Sequence, residues 1–345
     1  MTIYRSRAPV RITFGGGGTD IAPYDKEHGG MCLGATINRY CYCSLRIRKD
    51  KVIKIISNEL NTIRTYRSFE DMIKVLENKK NGNETLLEEC VKIMKPNFGF
   101  ELYVRSDISP SSGLGSSASV SVATLGLFNH LRKRGWLTKH QIAEHAFKVE
   151  EEGLKNLGGR QDQYAATFGG INLYEFAGED NIRINPINAR KDVLLELEKN
   201  LLVVSTGNRT KTSGEVHKEE KEHGYYTSPQ KVKELHKIKQ IAEEMEFCLR
   251  EGHIGRFGEL IKESWEYKKS LNPKVTNERI NLLIETSLKN GAIGARLMGA
   301  GGGGHLLIFC QPNKEHIVAK ELANLGAKVL DFSFDFDGLQ TWEVK

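Results

Sequence analysis

The sequence of 345 residues predicts an α+β protein built in two parts. Apolar residues alternate along much of the first 60 residues, which is typical of strands with one buried face. Between residues 210 and 290 the apolar spacing is helical, and the segment is rich in Lys and Glu. A linker-like stretch near residues 205–230 lies between these regions. We therefore expect a first domain over residues 1–205 and a second over residues 206–345.

Single elements follow from the same patterns. Thr138 and Gln141 have the spacing of a capping box, which predicts a helix from there to about Leu157. A short loop over residues 158–163 is expected after it. Further helices are predicted at 68–78, 84–95 and 116–134, and strands at 31–37, 40–48, 52–57, 99–106, 170–176, 182–187, 200–206, 293–297, 305–310, 327–334 and 340–344.

Charge and cysteine content exclude several classes of protein. The net charge is +6, from 50 Lys and Arg against 44 Asp and Glu, and the basic residues form no dense stripe with aromatic residues, so we expect no nucleic-acid partner. No pair of the six cysteines has CxxC spacing, which argues against a zinc site. No run of 18 apolar residues and no apolar leader is present, so we expect no membrane association and a cytoplasmic location.

Three glycine-rich segments stand out. They are 15-GGGGTD-20 after a strand, 113-GLGSSA-118 between a strand and a helix, and 299-GAGGGG-304 between two strands. The second lies within 109-SPSSGLGSSAS-119 and is the most informative. Small residues let the backbone turn tightly with its N–H groups inward, and the helix that follows adds its positive N-terminal end. This segment is suited to binding a polyphosphate.

Other interpretations of these glycines are possible. Residues 113–118 and 299–304 both match the dinucleotide pattern GxGxxG/A, but that site requires an acidic residue about 20 positions further on. After the first match, this position falls in the basic segment 131-LRKRGW-136. A Walker A loop requires a lysine that is absent here. A turn without a ligand is the structural alternative, although serine is a poor choice for a helix start that serves packing alone.

Two carboxylates are candidates for chemistry. Asp162 lies in 158-GGRQDQY-164, where an aspartate is often a simple turn former, and Glu150 begins the run 150-EEE-152, which on a helix is usually a solvated face. Phosphoryl transfer requires positioned phosphates, a metal ion and a carboxylate or cation near the attacking hydroxyl. Together with Arg11 and Ser117, these residues could supply that set, and Thr19 and Asp20 could bind sugar hydroxyls.

The chain resembles the GHMP kinases, named for galactokinase, homoserine kinase, mevalonate kinase and phosphomevalonate kinase. Three family motifs occur in order, as 7-RAPVRITFGGGGTD-20, 109-SPSSGLGSSAS-119 and 298-MGAGGGGH-305, and they span nearly the whole chain. The resemblance implies an N-terminal domain related to the second domain of ribosomal protein S5 and a ferredoxin-like C-terminal domain. It also implies that ATP, Mg²⁺ and the substrate bind between the two domains.

The resemblance assigns roles to single residues. Asp162 matches the catalytic aspartate, Arg11 an arginine near the transferred phosphoryl group, Ser117 the magnesium-binding serine, and Glu150 the glutamate that completes the metal site, with Glu151 as its alternative. The expected ATP-binding residues are Pro110, Ser111, Ser112, Gly113, Leu114, Gly115, Ser116, Ser117 and Ala118. The expected substrate-binding residues are Gly17, Gly18, Thr19, Asp20, Arg209, Lys211, Lys268 and Gly301, with Lys269 a further candidate.

Within the family, the first motif argues against galactose as the substrate. Galactokinases have Gly-Glu-His-Thr-Asp where this chain has Gly16 to Asp20. This form, together with 266-EYKKSL-271, is similar to the D-glycero-D-manno-heptose 7-phosphate kinases, which phosphorylate O1 on the route to GDP-heptose. Fucokinases are the nearest alternative, and a non-catalytic sugar-binding relative is a third. We expect a small-molecule sugar phosphate as substrate, and a monomer or homodimer.

Overall fold

The computed structural model describes residues 2–78, 85–178, 181–207 and 211–345, and it confirms the α+β class. Within these residues the strands form two sheets. The first has eight strands in the order β12-β1-β2-β5-β3-β4, with β6 joined to β2 and β7 joined to β6. These strands are β1 (Ile3–Gly15), β2 (Gly30–Ile47), β3 (Ile53–Ser57), β4 (Thr62–Tyr66), β5 (Phe100–Ser106), β6 (Ile171–Phe176), β7 (Ile182–Pro186) and β12 (Gln340–Val344).

The long strand β2 organises this sheet. It pairs with β1 on one side. On its other side, residues Gly30–Ala35 pair with β6 and residues Cys41–Ile47 pair with β5. All pairings in the sheet are antiparallel except that of β3 with β5. The sequence predicts two strands here, at 31–37 and 40–48. The structure has one, because residues 38 and 39 continue the extended chain.

The second sheet has four antiparallel strands in the order β11-β8-β10-β9. They are β8 (Leu201–Gly207), β9 (Ala292–Leu297), β10 (Gly304–Cys310) and β11 (Lys328–Leu330). The domain boundary expected between residues 205 and 206 falls within β8, and β12 pairs with β1 in the first sheet. The division of the chain into two domains stays a prediction.

The helices lie between and after these strands. They are α1 (Tyr24–His28), α2 (Phe69–Asn78), α3 (Leu86–Met94), α4 (Ser116–His130), α5 (Lys139–Lys148), α6 (Gln161–Phe168), α7 (Lys191–Asn200), α8 (Ser213–Glu222), α9 (Pro229–Glu251), α10 (Ile254–Leu271), α11 (Glu278–Lys289) and α12 (Glu315–Asn324). Among the described residues, none of the helices is both long enough and apolar enough to cross a membrane.

The segment between α5 and β6 differs from expectation. The capping box of Thr138 and Gln141 is present at the start of α5. The α-helix ends at Lys148, however, and a five-residue π-helical turn, Val149–Gly153, follows it. Helix α6 begins at Gln161, inside the expected loop, so Asp162 lies in the first turn of a helix. This eight-residue helix has glycines on both sides, and this made it hard to distinguish from a loop.

One apolar core joins the two sheets. Val10, Ile12 and Phe14 of β1 belong to the same buried cluster as Leu307 and Phe309 of β10. Side chains of α9 and α10 complete this cluster. Burial of each such side chain contributes about 1.5–3 kcal/mol. The two sheets are therefore packed together through β1, the strand that carries the first sequence motif.

The second and third glycine-rich segments contact each other directly. A Cβ atom on Gly304 would lie 2.4 Å from the carbonyl oxygen of Ser112, and one on Gly299 would lie 2.8 Å from Cα of Gly113. His305 Nδ1 lies 2.9 Å from the same Ser112 oxygen. The glycines of the third motif thus permit a close backbone contact that shapes the second.

We predict that Gly304→Ala destabilises the protein much more than Gly302→Ala. Both glycines have positive φ, 113° and 74°, so both substitutions strain the backbone. A Cβ at Gly302 meets no atom within 4 Å, whereas one at Gly304 overlaps backbone. Overpacking costs about 1–3 kcal/mol, so the free energy of unfolding, measured in urea, should fall by about that much more for Gly304→Ala than for Gly302→Ala. Equal losses in the two variants would show that the contact between the motifs is unimportant.

Candidate active site

One cavity is lined by residues from both sheets and from all three glycine-rich segments. Arg11 contributes from β1 and Arg296 from β9. Gly17, Gly113 and Gly299 line it from the first, second and third segments. The motifs that are far apart in sequence therefore meet at one site.

An arginine–aspartate pair lies in this cavity. Arg11 is 6% exposed. Its Nε donates to Asp162 Oδ1 at 2.8 Å, and its Nη2 donates to Oδ2 at 2.8 Å. Two parallel hydrogen bonds fix the orientation of the carboxylate relative to the guanidinium, and the positive charge of the guanidinium offsets the negative charge of the carboxylate. The side chain of Asp162 remains 26% exposed, so the carboxylate is accessible from the cavity.

Arg11 also holds the second glycine segment. Its Nη1 donates to the carbonyl oxygen of Gly113, and its backbone N–H donates to that of Leu114 at 3.0 Å. Gly115 has a left-handed conformation, and a Cβ there would lie 3.1 Å from Asp162 Oδ2. The loop therefore lies directly against the carboxylate.

The loop before α4 has the shape expected of a phosphate site. Gly113 and Gly115 have φ of 78° and 75°, and α4 begins at Ser116. The N-terminal N–H groups and the dipole of such a helix favour an anion. Of the expected ATP-binding residues, those that line the cavity are Pro110, Ser111, Ser112, Gly113, Gly115, Ser116 and Ser117. Leu114 and Ala118 are instead buried, at 0% and 1% exposure, because their side chains pack behind the loop.

A second acidic residue, Asp20, accepts hydrogen bonds from Gln161, the residue that precedes Asp162. Asp20 is 2% exposed and accepts from the backbone N–H of Gly18 at 3.1 Å. Both the backbone N–H and the Nε2 of Gln161 donate to it at 3.3 Å. The Oε1 of Gln161 accepts from Thr13, which lies two residues after Arg11 on the same face of β1. These contacts fix Asp20 at the wall of the cavity beside Gly17 and Gly18.

Thr19 occupies a different position from the one expected. It is fully buried, and its hydroxyl lies 2.8 Å from the oxygen of Gly16 and 2.9 Å from that of Met31. It also accepts from the backbone N–H of Met31 at 2.9 Å. The hydroxyl thus holds the turn together, and Thr19 is not among the described residues that line the cavity, so its expected contact with a substrate stays a prediction.

Ser117 and Glu150 form the expected pair at the start of α4. The Ser117 hydroxyl donates to Glu150 Oε2 at 3.1 Å, and Gln163 Nε2 donates to Oε1 at 3.1 Å. Burial, with the nearby charge of Asp162, raises the pKa of Glu150 to about 7. The π-helical turn presents Glu150 to the cavity, whereas Glu151 is exposed on the surface. The geometry favours Glu150 over its alternative.

These two side chains suit a magnesium ion. A hydroxyl and one carboxylate are few protein ligands, and Mg²⁺ prefers that arrangement when phosphate oxygens complete its shell. Within the described residues, no group of three or more His, Cys, Asp or Glu side chains could hold a metal ion by itself. The donor set therefore fits an ion that binds together with a nucleotide.

Of the lysines expected to bind substrate, one lines the cavity and two do not. Lys268 lines the cavity, and its Nζ donates to the carbonyl oxygen of Gly299. Lys211 pairs with Glu219 and Lys269 with Glu266, and neither lies among the residues that line the cavity in the described structure. Arg209 lies outside the described residues.

Gly301 contributes to the site only indirectly. A Cβ there would lie 2.8 Å from Cβ of Val275, so the residue packs against the short helix Pro273–Val275. Its neighbours Gly299 and Ala300 line the cavity instead.

Sequence reasoning missed several residues of the site. One part of the cavity is lined by Leu87 of α3, Val104 of β5, and Leu60 and Ile108 in the turns after β3 and β5. Another part has His217, Glu220 and Tyr226 from α8 and the turn after it, with Arg296 from β9. Thr13 could have been found from its alternation with Arg11. The others carry no signal in sequence, because the fold brings them together from distant segments.

Comparison with known proteins agrees with this arrangement. Residues 83–170 match the model of the GHMP kinases N terminal domain, and residues 245–328 match that of the GHMP kinases C terminal domain. The chain is similar over its whole length to the D-glycero-alpha-D-manno-heptose 7-phosphate kinase of Campylobacter jejuni, with 32% identity and 100% of both chains covered. It is 25% identical to an L-fucokinase/L-fucose-1-P guanylyltransferase of Bacteroides fragilis, over 97% of this chain and 38% of that protein.

Solved structures show the same similarity. A D-glycero-D-manno-heptose 1-phosphate kinase from Bacteroides thetaiotaomicron has a TM-score of 0.79 and 26% identity, with 99% of both chains covered. A putative sugar kinase from Campylobacter jejuni has a TM-score of 0.75 and 30% identity, over 99% of this chain and 98% of that one. With its three motifs gathered at one cavity and full-length similarity to these kinases, the chain belongs to the GHMP kinases, phosphotransferases with an alcohol as acceptor.

Proposed function

We propose that the protein transfers the γ-phosphoryl group of ATP to the anomeric hydroxyl of D-glycero-D-manno-heptose 7-phosphate, giving the 1,7-bisphosphate. The observation that carries this proposal is the bidentate pair of Arg11 and Asp162 directly beneath the glycine- and serine-rich loop. The full-length relative from Campylobacter jejuni is named for this substrate. GHMP kinases use ATP as the phosphate donor.

The loop and α4 bind the donor in this proposal. Backbone N–H groups from Gly115 to Ser117 and the N-terminal end of α4 face the phosphates. Ser117 and Glu150 would hold Mg²⁺, which when bound neutralises phosphate charge. Leu60 and Val104 give the cavity apolar surface beside polar groups such as Ser106, and this mixture suits the base of the nucleotide.

Asp162 and Arg11 act on the acceptor. The carboxylate of Asp162 orients the O1 hydroxyl and accepts its proton as O1 bonds to the γ-phosphorus. The bond from that phosphorus to the β,γ-bridging oxygen breaks, and ADP leaves. Arg11 offsets negative charge on the transferred group and fixes the plane of the carboxylate. Because an anomeric hydroxyl is more acidic than an ordinary alcohol, a carboxylate is a sufficient base.

A substrate panel tests the choice of sugar. ADP release should be measured with heptose 7-phosphate, heptose 1-phosphate, unphosphorylated heptose, L-fucose and galactose. We expect the highest kcat/KM with heptose 7-phosphate, and ³¹P spectra should show a new phosphate at O1. A preference for L-fucose would identify a fucokinase instead. Binding of a sugar by calorimetry with no ADP formed from any substrate would indicate a non-catalytic relative.

We predict that Asp162→Asn abolishes most activity but preserves ATP binding. Loss of the proton acceptor should lower kcat by about 10²–10⁴-fold. The Kd for ATP should stay within about threefold, since the loop that contacts the phosphates is intact. Asp331→Asn, at an exposed aspartate, is the control and should behave as wild type. Turnover near the wild-type rate in Asp162→Asn would refute the catalytic assignment.

We also predict that Glu150→Gln raises the requirement for magnesium. Removal of the one carboxylate in the proposed metal site should raise the Mg²⁺ concentration for half-maximal activity by about tenfold or more, about 1.4 kcal/mol. The neighbouring and exposed Glu151→Gln is the matched control, with no shift expected. A shift in Glu151→Gln and none in Glu150→Gln would reverse the assignment.

A further inference from the structure

Basic groups line one wall of the cavity on its sugar side. Ser264, Lys268 and Asn272 recur every four residues along α10 and its C-terminal end, so they lie on one face about 12 Å long. Ser264 accepts a hydrogen bond from Arg296, and Asn272 donates one to Glu220, the partner of His217. Arg296, Lys268 and His217 therefore follow one another along this wall, and all three line the cavity.

His217 is held in one orientation by a buried carboxylate. Glu220 is 6% exposed. It lies 2.9 Å from His217 Nδ1, accepts from the Tyr226 hydroxyl at 3.0 Å, and accepts from Asn272 Nδ2 at 3.0 Å. Although burial opposes it, the hydrogen bond from His217 and these other contacts hold the pKa of Glu220 below its usual value.

This orientation leaves the far side of the ring for a ligand. Among the described residues, the polar contacts of His217 are all made at Nδ1, to Glu220 and Tyr226. The other ring nitrogen, Nε2, makes no polar contact in the part of the chain that the structure describes. The ring lines the cavity, so Nε2 is available to a hydrogen-bonding group of a ligand there.

Arg296 is a buried cation whose recorded partners are neutral. It is 2% exposed, and its Nη1 donates to the oxygen of Phe14 at 2.8 Å and to Ser264 Oγ at 2.9 Å. Its Nε is buried without a hydrogen-bond acceptor, and no carboxylate of the described residues lies within ion-pairing distance. Burial, with the nearby charge of Arg11, lowers its pKa to about 10, so it is charged at neutral pH. A buried charge of this kind is stabilised when an anion binds beside it.

We infer that His217, held by Glu220, forms with Lys268 and Arg296 the subsite for the distal phosphate of a sugar phosphate substrate. The inference rests on the proposed function and names the residues that would make the enzyme require a phosphorylated sugar. A phosphate dianion offers three oxygens to three kinds of donor. The wall belongs to α8, α10 and β9, whereas the nucleotide loop lies before α4.

The test compares phosphorylated and unphosphorylated heptose in wild type and His217→Gln. Gln keeps a side-chain amide near the same place but removes the imidazole ring. We expect the KM for heptose 7-phosphate to rise about tenfold or more in this variant. The KM for ATP and the kcat/KM for unphosphorylated heptose should stay within about threefold. His223→Gln, at the exposed C-terminal end of α8, is the matched control and should leave all values unchanged.

Glu220 acts through His217 and is a positioning residue, so a double-mutant cycle separates its role from general packing. Glu220→Gln should also raise the KM for heptose 7-phosphate, and the double variant should be no worse than His217→Gln alone. Additive effects would show that Glu220 does not act through the ring.

Arg296→Lys keeps the charge of the side chain but changes its hydrogen bonds. This variant should raise the KM for heptose 7-phosphate and leave the KM for ATP unchanged.

The outcomes separate this inference from the proposed function. If wild type prefers heptose 7-phosphate and His217→Gln keeps that preference, the subsite is wrong and the function stands. If the KM for ATP rises instead, the wall serves the nucleotide and the inference is overturned. If wild type does not use heptose 7-phosphate, the proposed function itself fails.

Discussion

The side chain of Arg11 is the constraint on which the rest of the site depends. One guanidinium contacts the carboxylate of Asp162 with two nitrogen atoms and the carbonyl oxygen of Gly113 with the third. It thus joins β1, the loop before α4 and the first turn of α6. Because the residue is almost fully buried, each of these contacts has little competition from water. A shift of any one of the three elements would change the distance between the carboxylate and the phosphate loop.

Sequence reasoning found this centre because its parts are local patterns. A strand ending in glycines and a Gly/Ser turn at a helix start can each be recognised alone. The aspartate after two glycines is ambiguous by itself, and its expected role came from the resemblance to the GHMP kinases. Side chains such as Arg296 and His217 could not be recognised in this way. Their position depends on the packing of α8, α10 and β9, which lie far apart in sequence. Thr19 lies inside a recognisable motif, but its hydroxyl makes hydrogen bonds within the turn that the motif forms.

The cavity offers hydrogen-bond donors of two kinds. At the loop before α4 they are backbone N–H groups, whose position is fixed by the fold. On α8, α10 and β9 they are side chains. Substitutions on those three elements could change which acceptor is bound without altering β1 or α4. The Arg11 and Asp162 pair belongs to neither set, since it joins β1 to the first turn of α6.

The pairing of β12 with β1 has a consequence for how the protein assembles. Arg7 lies opposite Gln340 in this pairing, and Ile3 lies opposite Val344. During synthesis, one edge of the strand that carries Arg11 has no partner until the chain has been made through Val344. An unpaired strand edge is a site for association with other chains, and closing so long a loop slows folding. The strand that carries Arg11 is therefore among the last parts of the first sheet to gain its full set of backbone hydrogen bonds.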